Sequence, residues 1–80
     1  MNDAEFLATF TRILRDLLGD ESIELTAATR RADIPEWDSF QYVNFIVAVE
    51  AELGVKFRVA DVESFACVGD IVAESMALLG

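Results

Sequence analysis

The sequence predicts an all-α fold, an up-down four-helix bundle with three long helices, one short helix and a long first loop. Apolar residues recur at three- and four-residue spacing, which is typical of helices that bury one face. Capping residues and glycines stand at the ends of these stretches. The 80 residues are 54% hydrophobic, so residues 1–80 are expected to form one domain around a single core.

The first helix is expected to begin at a cap provided by Asp3 and to end at Gly19. Its apolar stripe consists of Phe6, Phe10, Ile13, Leu14 and Leu17. Residues 20–37 show no sustained period and are expected to form a loop, with a short helical turn around residues 27–31. The side chains expected to hold this loop to the core are Ile23, Leu25, Ile34 and Trp37.

The second helix is predicted to start at residue 39 and to end at Gly54. Asp38 as N-cap and Gln41 three residues later fit a capping box, which places Ser39 at the first helical position. A turn at residues 60–64 and a last helix over about residues 67–79 follow. Gly69 is expected to weaken the last helix by up to ~1 kcal/mol relative to alanine. The inward side chains of that helix are predicted to be Val68, Ile71, Val72 and Leu79.

The second helix has two apolar faces, because ten of the fifteen residues 39–53 are apolar. One face is expected to join the core through Tyr42, Phe45, Ile46, Val49 and Leu53. The other face, roughly opposite, consists of Phe40, Val43, Val47 and Ala51, edged by Gln41, Asn44 and Glu50. A small bundle rarely buries both sides of a helix, so this second face is either covered by residues 20–37 or left for a partner.

Charge excludes several classes of partner. With 6 basic and 15 acidic residues, the net charge is −9, which disfavours binding to nucleic acids and anionic membranes. Acidity either steers the chain toward a basic partner or only maintains solubility. The longest apolar run, residues 45–49, is far too short to insert into a membrane, and the N-terminus lacks a signal peptide's basic flank. A cytoplasmic monomer is expected.

The sequence contains few residues or motifs typical of a catalytic site. Histidine is absent, which removes the usual base of serine and cysteine nucleophiles, and no phosphate-binding loop or metal-ligand spacing is visible. A hydrolase that uses Ser39 as nucleophile is therefore disfavoured. A serine at a helix start is usually a cap, but here Asp38 can cap and leave the Ser39 hydroxyl free. The helix start also favours an anion attached there.

Residues 37–40 (Trp-Asp-Ser-Phe), 43–50 and 53–57 resemble the phosphopantetheine-attachment region of the acyl- and peptidyl-carrier protein family, whose core motif is Asp-Ser-Leu at the start of the second helix. The similarity extends to residues 67–71 and, with the first helix and long loop in place, covers essentially the whole chain. The resemblance implies a free-standing carrier that catalyses nothing. It further implies that a phosphopantetheinyl transferase esterifies Ser39 with 4′-phosphopantetheine from coenzyme A.

In such a carrier the arm holds acyl or aminoacyl groups as thioesters and presents them to a partner ligase, synthase or transferase. The residues expected to contact partners are Asp38, Phe40, Gln41, Val43, Asn44, Val47 and Glu50. The residues expected around the acyl group are Phe45, Val49, Phe57, Val62 and Phe65.

The chain departs from the family pattern at three positions. Phe40 replaces the usual leucine, and Gln41 and Asn44 stand where fatty-acid carriers commonly have acidic residues. The two amides disfavour a role in fatty-acid synthesis, and the Trp-Asp-Ser form of the motif resembles carriers of specialised pathways that handle polyketide, aminoacyl or related intermediates. The alternative interpretation is a helical protein-interaction module of the same fold without a prosthetic group.

Overall fold

The computed structural model describes residues 1–79 and confirms an all-helical fold over that range. The elements are α1 (Asp3–Leu18), a 3₁₀ turn (Arg31–Asp33), α2 (Ser39–Leu53), α3 (Val59–Ser64) and α4 (Val68–Leu79). The predicted set of three long helices and one short helix is therefore confirmed. The helical turn expected around residues 27–31 lies later in the loop, at the 3₁₀ turn.

The cap of α1 differs from the prediction by one residue. Asn2, not Asp3, is the N-cap: its Oδ1 accepts a hydrogen bond from the Glu5 backbone N–H at 2.9 Å, and the Glu5 carboxylate accepts from the Asn2 backbone N–H at 2.9 Å. This reciprocal pair is a capping box. Asp3 lies in the first turn, where its charge interacts favourably with the helix dipole. Gly19 ends α1 in the left-handed conformation, with φ 66°.

The cap of α2 is confirmed, but the predicted capping box is only half formed. Asp38 Oδ1 accepts from the Gln41 backbone N–H at 2.9 Å. The Gln41 side chain does not return this bond and instead accepts from Asn44 Nδ2 at 3.2 Å. The glutamine therefore lies along the helix surface. Gly54 ends α2 with φ 68°.

Aromatic side chains from α1, α2 and the first loop meet in one core. The Phe45 ring lies 5.8 Å from Phe10 and 5.1 Å from Trp37, both in edge-to-face geometry. Ile23, Leu25 and Trp37 of the loop are buried as predicted, whereas Ile34 is only half-buried. The loop thus brings Trp37, two residues before Ser39, into the centre of the fold.

The buried face of α4 ends earlier than the sequence analysis predicted. Val68, Ile71 and Val72 are buried, but Leu79 is 48% exposed, so its assignment to the core was wrong. Ser75, four residues after Ile71 on the same face, is buried instead. Its hydroxyl donates to the Ile71 carbonyl at 2.7 Å, and that bond makes the burial of a polar group tolerable.

Gly69 has a structural role that helix propensity did not indicate. The backbone N–H groups of Val68 and Gly69 donate to the carbonyls of Thr29 and Ala27, each at 2.8 Å. A Cβ on Gly69 would lie 2.9 Å from the Ala27 carbonyl oxygen. The glycine therefore lets the first loop approach α4 closely and satisfy its first backbone donors.

We expect Gly69→Ala to lower the free energy of unfolding by about 1–2 kcal/mol, because the added methyl group meets backbone and not a flexible side chain. Helix propensity alone predicts the opposite, a gain of up to ~1 kcal/mol. Urea denaturation measures the sign. Ala73→Gly, at an exposed position of the same helix, provides the propensity effect for comparison. A Gly69→Ala variant more stable than the wild type would contradict the close approach.

Candidate functional site

Ser39 is exposed and is the first residue of α2. Because Asp38 caps the helix, the Ser39 hydroxyl is not needed for that role. Among the described residues its Oγ has one hydrogen bond, accepted from Arg31 Nη1 at 3.5 Å. The hydroxyl therefore faces solvent at the positive end of a helix, with a guanidinium group beside it.

A groove runs beside Ser39, between the first loop, α2 and α3, with a volume of about 780 Å³. Its lining contains two arginines and two carboxylates, Arg30, Arg31, Asp38 and Glu63. Apolar and aromatic side chains, among them Trp37, Tyr42, Val62 and Phe65, complete it. We call it the Ser39 groove. A group bonded to Ser39 would have direct access to this groove.

Tyr42 joins the walls of the Ser39 groove. Its hydroxyl donates to the Val62 carbonyl at 2.8 Å, which ties α2 to α3. Its ring centroid lies 6.0 Å from that of Trp37 and 5.3 Å from the guanidinium carbon of Arg31. Burial raises the pKa of Tyr42, Arg31 acts to lower it, and Asp70 adds a smaller upward contribution. The neutral phenol is thus the form that the fold holds.

A raised pKa in the folded state means that Tyr42 supports folding only while it is protonated. Its contribution is fully present below the pKa of an unfolded tyrosine, about 10, and is lost as pH rises through the higher folded-state pKa. We therefore expect unfolding free energy to fall above pH of about 10. Tyr42→Phe should be less stable at neutral pH by about 1 kcal/mol. Its unfolding free energy should not show the decrease at alkaline pH that ionisation of Tyr42 causes in the wild type.

The same titration can be followed by tyrosinate absorbance, because Tyr42 is the chain's one tyrosine. An apparent pKa at or below the ordinary value would contradict the assignment. So would wild-type and Tyr42→Phe stability curves that run parallel above neutral pH.

Trp37 presents an unsatisfied donor at the site. The side chain is 3% exposed, and its Nε1 is buried without a hydrogen-bond partner among the described residues. A buried N–H without an acceptor costs about 1–3 kcal/mol, so native proteins rarely keep one without a reason. The donor lies in a residue that lines the Ser39 groove.

The second apolar face of α2 is exposed, which excludes the alternative that residues 20–37 cover it. Phe40, Val43 and Val47 are 73%, 55% and 56% exposed, and Ala51 is also exposed. The loop is held on the other side of α2, where Trp37 packs against Phe45. The exposed stripe starts next to Ser39 and runs along the helix.

The polar residues that sequence analysis predicted to contact partners have bonding partners within the fold. Gln41 and Asn44 bond to each other, while Asp38 caps α2. Glu50 accepts from the Phe57 backbone N–H at 2.8 Å, and its side chain is 14% exposed. The structure thus gives Glu50 a role in fixing the chain after α2.

The predicted acyl-contact residues divide into two groups. Val62 and Phe65 line the Ser39 groove. Phe45, Val49 and Phe57 lie in the buried core and do not line the groove in this conformation. Sequence analysis did not identify Arg31 as a site residue. The signal available was a basic pair, residues 30 and 31, close before Ser39 in a strongly acidic chain.

Among residues 1–79, no helix is long and apolar enough to cross a membrane. The same residues contain no group of three or more histidine, cysteine, aspartate or glutamate side chains placed to hold a metal ion.

Comparison with known proteins identifies relatives over nearly the whole chain. An acyl carrier protein of Thermotoga maritima is 32% identical over 76 residues, which is 95% of this chain and 94% of that protein. The solution NMR structure of a holo acyl carrier protein from Geobacter metallireducens superposes with a TM-score of 0.85 and 34% identity. That match covers 92% of this chain and 85% of the other. No protein-family model matches the chain.

Proposed function

Because the chain belongs to the acyl carrier protein family, we propose that it holds acyl or aminoacyl groups on a 4′-phosphopantetheine arm attached to Ser39. It is a carrier and not an enzyme. The main support for Ser39 as the attachment site is that this residue is exposed at the first position of α2. Asp38 forms the N-cap bond, so the Ser39 hydroxyl is not used for capping. We propose likewise that residues 1–80 form a single carrier domain.

The residues around Ser39 fit such an arm. The start of α2 and the guanidinium of Arg31 supply positive potential where the phosphate would be attached. The Ser39 groove offers apolar walls from Val62 and Phe65 beside that point. The unpartnered Nε1 of Trp37 is a donor suited to a carbonyl oxygen, and the arm and its thioester both contain carbonyl groups.

Attachment requires only a nucleophilic hydroxyl from this chain. The Ser39 oxygen forms a bond to the phosphorus next to the pantetheine of coenzyme A, and the pyrophosphate bond breaks. Adenosine 3′,5′-bisphosphate leaves, and the hydroxyl proton passes to a base of the transferase, since the chain has no histidine to take it. The arm then supplies a terminal thiol on which an acyl group is held as a thioester.

The exposed stripe of Phe40, Val43 and Val47 supports docking of the phosphopantetheinyl transferase and of acyl- or aminoacyl-handling enzymes. It lies beside Ser39, so an enzyme seated on it would reach the arm. The net charge of −9 favours partners with basic surfaces. This exposed stripe is also what favours the second candidate function, an interaction module that needs no prosthetic group.

We further propose a specialised pathway that handles polyketide, aminoacyl or related groups, and not fatty-acid synthesis. The support is the first turn of α2, which contains no acidic residue. Gln41 and Asn44 bond to each other there and present amides, not carboxylates, to a partner. Identification of the thioester-bound group after native expression tests this sub-assignment, and a plain long-chain fatty acyl group would overturn it.

The attachment is tested by co-expression with a broad-specificity phosphopantetheinyl transferase followed by intact-protein mass spectrometry. The expected result is a mass gain of one phosphopantetheinyl group. A chain left unmodified by several different transferases would count against the carrier function.

A further inference from the structure

Two cations in this acidic chain have no salt bridge. Four of the six basic residues pair with carboxylates, through Arg12–Glu52, Arg15–Glu24, Lys56–Glu50 and Arg58–Asp61. Arg30 and Arg31 form no such pair within residues 1–79, although acidic residues outnumber basic ones 15 to 6. Both line the Ser39 groove.

Three carboxylates of the first loop and α4 accept from backbone N–H groups, and Glu63, which also lines the groove, forms no salt bridge with Arg31. Asp33 accepts from the Arg30 backbone N–H, Asp38 from that of Gln41, and Asp70 from that of Ala66, at 2.8–2.9 Å. One oxygen of each of these carboxylates is thus directed to a backbone amide. The guanidinium of Arg31 is left without an anionic partner in the described part of the chain.

Arg31 has two contacts that place its guanidinium beside Ser39. Its guanidinium carbon lies 5.3 Å from the centroid of the Tyr42 ring, a cation–π contact. Tyr42 is itself anchored through its hydroxyl to the Val62 carbonyl. From this position Arg31 Nη1 reaches Ser39 Oγ at 3.5 Å. The arginine is oriented toward the atom that would carry the phosphate.

We infer that Arg31 is a positioning residue that binds the phosphodiester of the arm and so directs the arm from Ser39 into the groove. This inference rests on the proposed function. The phosphorus bonds directly to the oxygen that Arg31 already contacts, so the anionic oxygens of the diester come within reach of the guanidinium. Arginine suits this task because its planar donors match phosphate oxygens in pairs. Without the arginine, attachment would add an unpaired negative charge to a chain of net charge −9.

The test compares apo and holo protein for the wild type and for Arg31→Gln, with Arg30→Gln as the matched control. Holo protein is first verified by mass. For each variant the measured quantity is the unfolding equilibrium constant of the holo protein divided by that of the apo protein. We expect this ratio to be roughly fivefold larger in Arg31→Gln than in the wild type. The difference should shrink as salt rises, since exposed charges are screened. Arg31→Lys should restore part of it, and Arg30→Gln should behave as the wild type.

A second readout follows the phosphorus directly. The ³¹P resonance of the holo wild type should differ from that of free pantetheine phosphodiester, and Arg31→Gln should move it toward the free value. Equal apo-to-holo changes in all variants, with an unmoved ³¹P signal, would overturn the assignment of Arg31 while leaving the carrier function intact.

Ser39→Glu keeps the inference testable without a transferase, because it places an anion at the same position. We expect a double-mutant cycle between Ser39→Glu and Arg31→Gln to show a coupling of roughly threefold in the unfolding equilibrium constant, and no coupling with Arg30→Gln. Absence of coupling would contradict an anion site at Arg31. If the coupling is present but no transferase modifies the chain, the anion site at Arg31 is supported and only the carrier function is contradicted.

Discussion

Ser39→Ala is expected to abolish phosphopantetheinylation completely while leaving the fold intact. The substitution removes the hydroxyl that α2 presents at its exposed first position. Because Asp38 forms the N-cap bond to Gln41, loss of the hydroxyl should change the unfolding free energy by no more than about 0.5 kcal/mol. Intact mass after co-expression with the transferase gives the first quantity, and urea denaturation gives the second.

Ser64→Ala is the matched control, since Ser64 is also exposed but lies at the end of α3, outside the Ser39 groove. It should be modified as fully as the wild type. A mass gain that persists in Ser39→Ala would move the attachment site elsewhere. If no variant is modified and a protein partner binds Ser39→Ala as tightly as the wild type, the interaction module becomes the better account.

Val47→Lys is expected to reduce the efficiency of modification by roughly 30-fold, equivalent to about 2 kcal/mol, the effect of losing a central apolar contact in an interface. Val47 is 56% exposed and lies two helical turns from Ser39 on the same face as Val43. The new ammonium group would be buried against a partner that the acidic chain selects for its positive charge. The measured quantity is kcat/KM with a phosphopantetheinyl transferase at fixed salt.

Leu78→Lys provides the control for this prediction. Leu78 is an exposed apolar residue, 43% accessible, in the last turn of α4 and outside the stripe. The same substitution there should leave kcat/KM unchanged, and both variants should keep wild-type stability. A loss of equal size in the two variants would indicate a general effect of charge, and an unaffected Val47→Lys would exclude this part of α2 from the docking surface.

Local features of the chain were sufficient to locate most of the fold and the serine itself. Helix stops at Gly19 and Gly54 follow from their ability to adopt positive φ, and the Asp38 cap follows from its short acceptor side chain. The predictions were wrong where two neighbouring residues could both cap a helix, or where the end of a helix extends beyond the core. Asn2 replaced Asp3 as cap because it also bonds reciprocally with Glu5, and Leu79 is exposed because the buried face ends near Ser75.

The helices, the acidic character and the position of Ser39 at the start of α2 follow from the chain alone, since each depends on spacing, composition or a cap within a few residues. Three features could be known only once the chain was folded: the second face of α2 is exposed, Gly69 lets the first loop approach α4, and Arg31 and Trp37 both line the groove beside Ser39. These features join or leave apart residues of different elements across a folded loop. Their distances depend on how that loop packs, which no local pattern specifies.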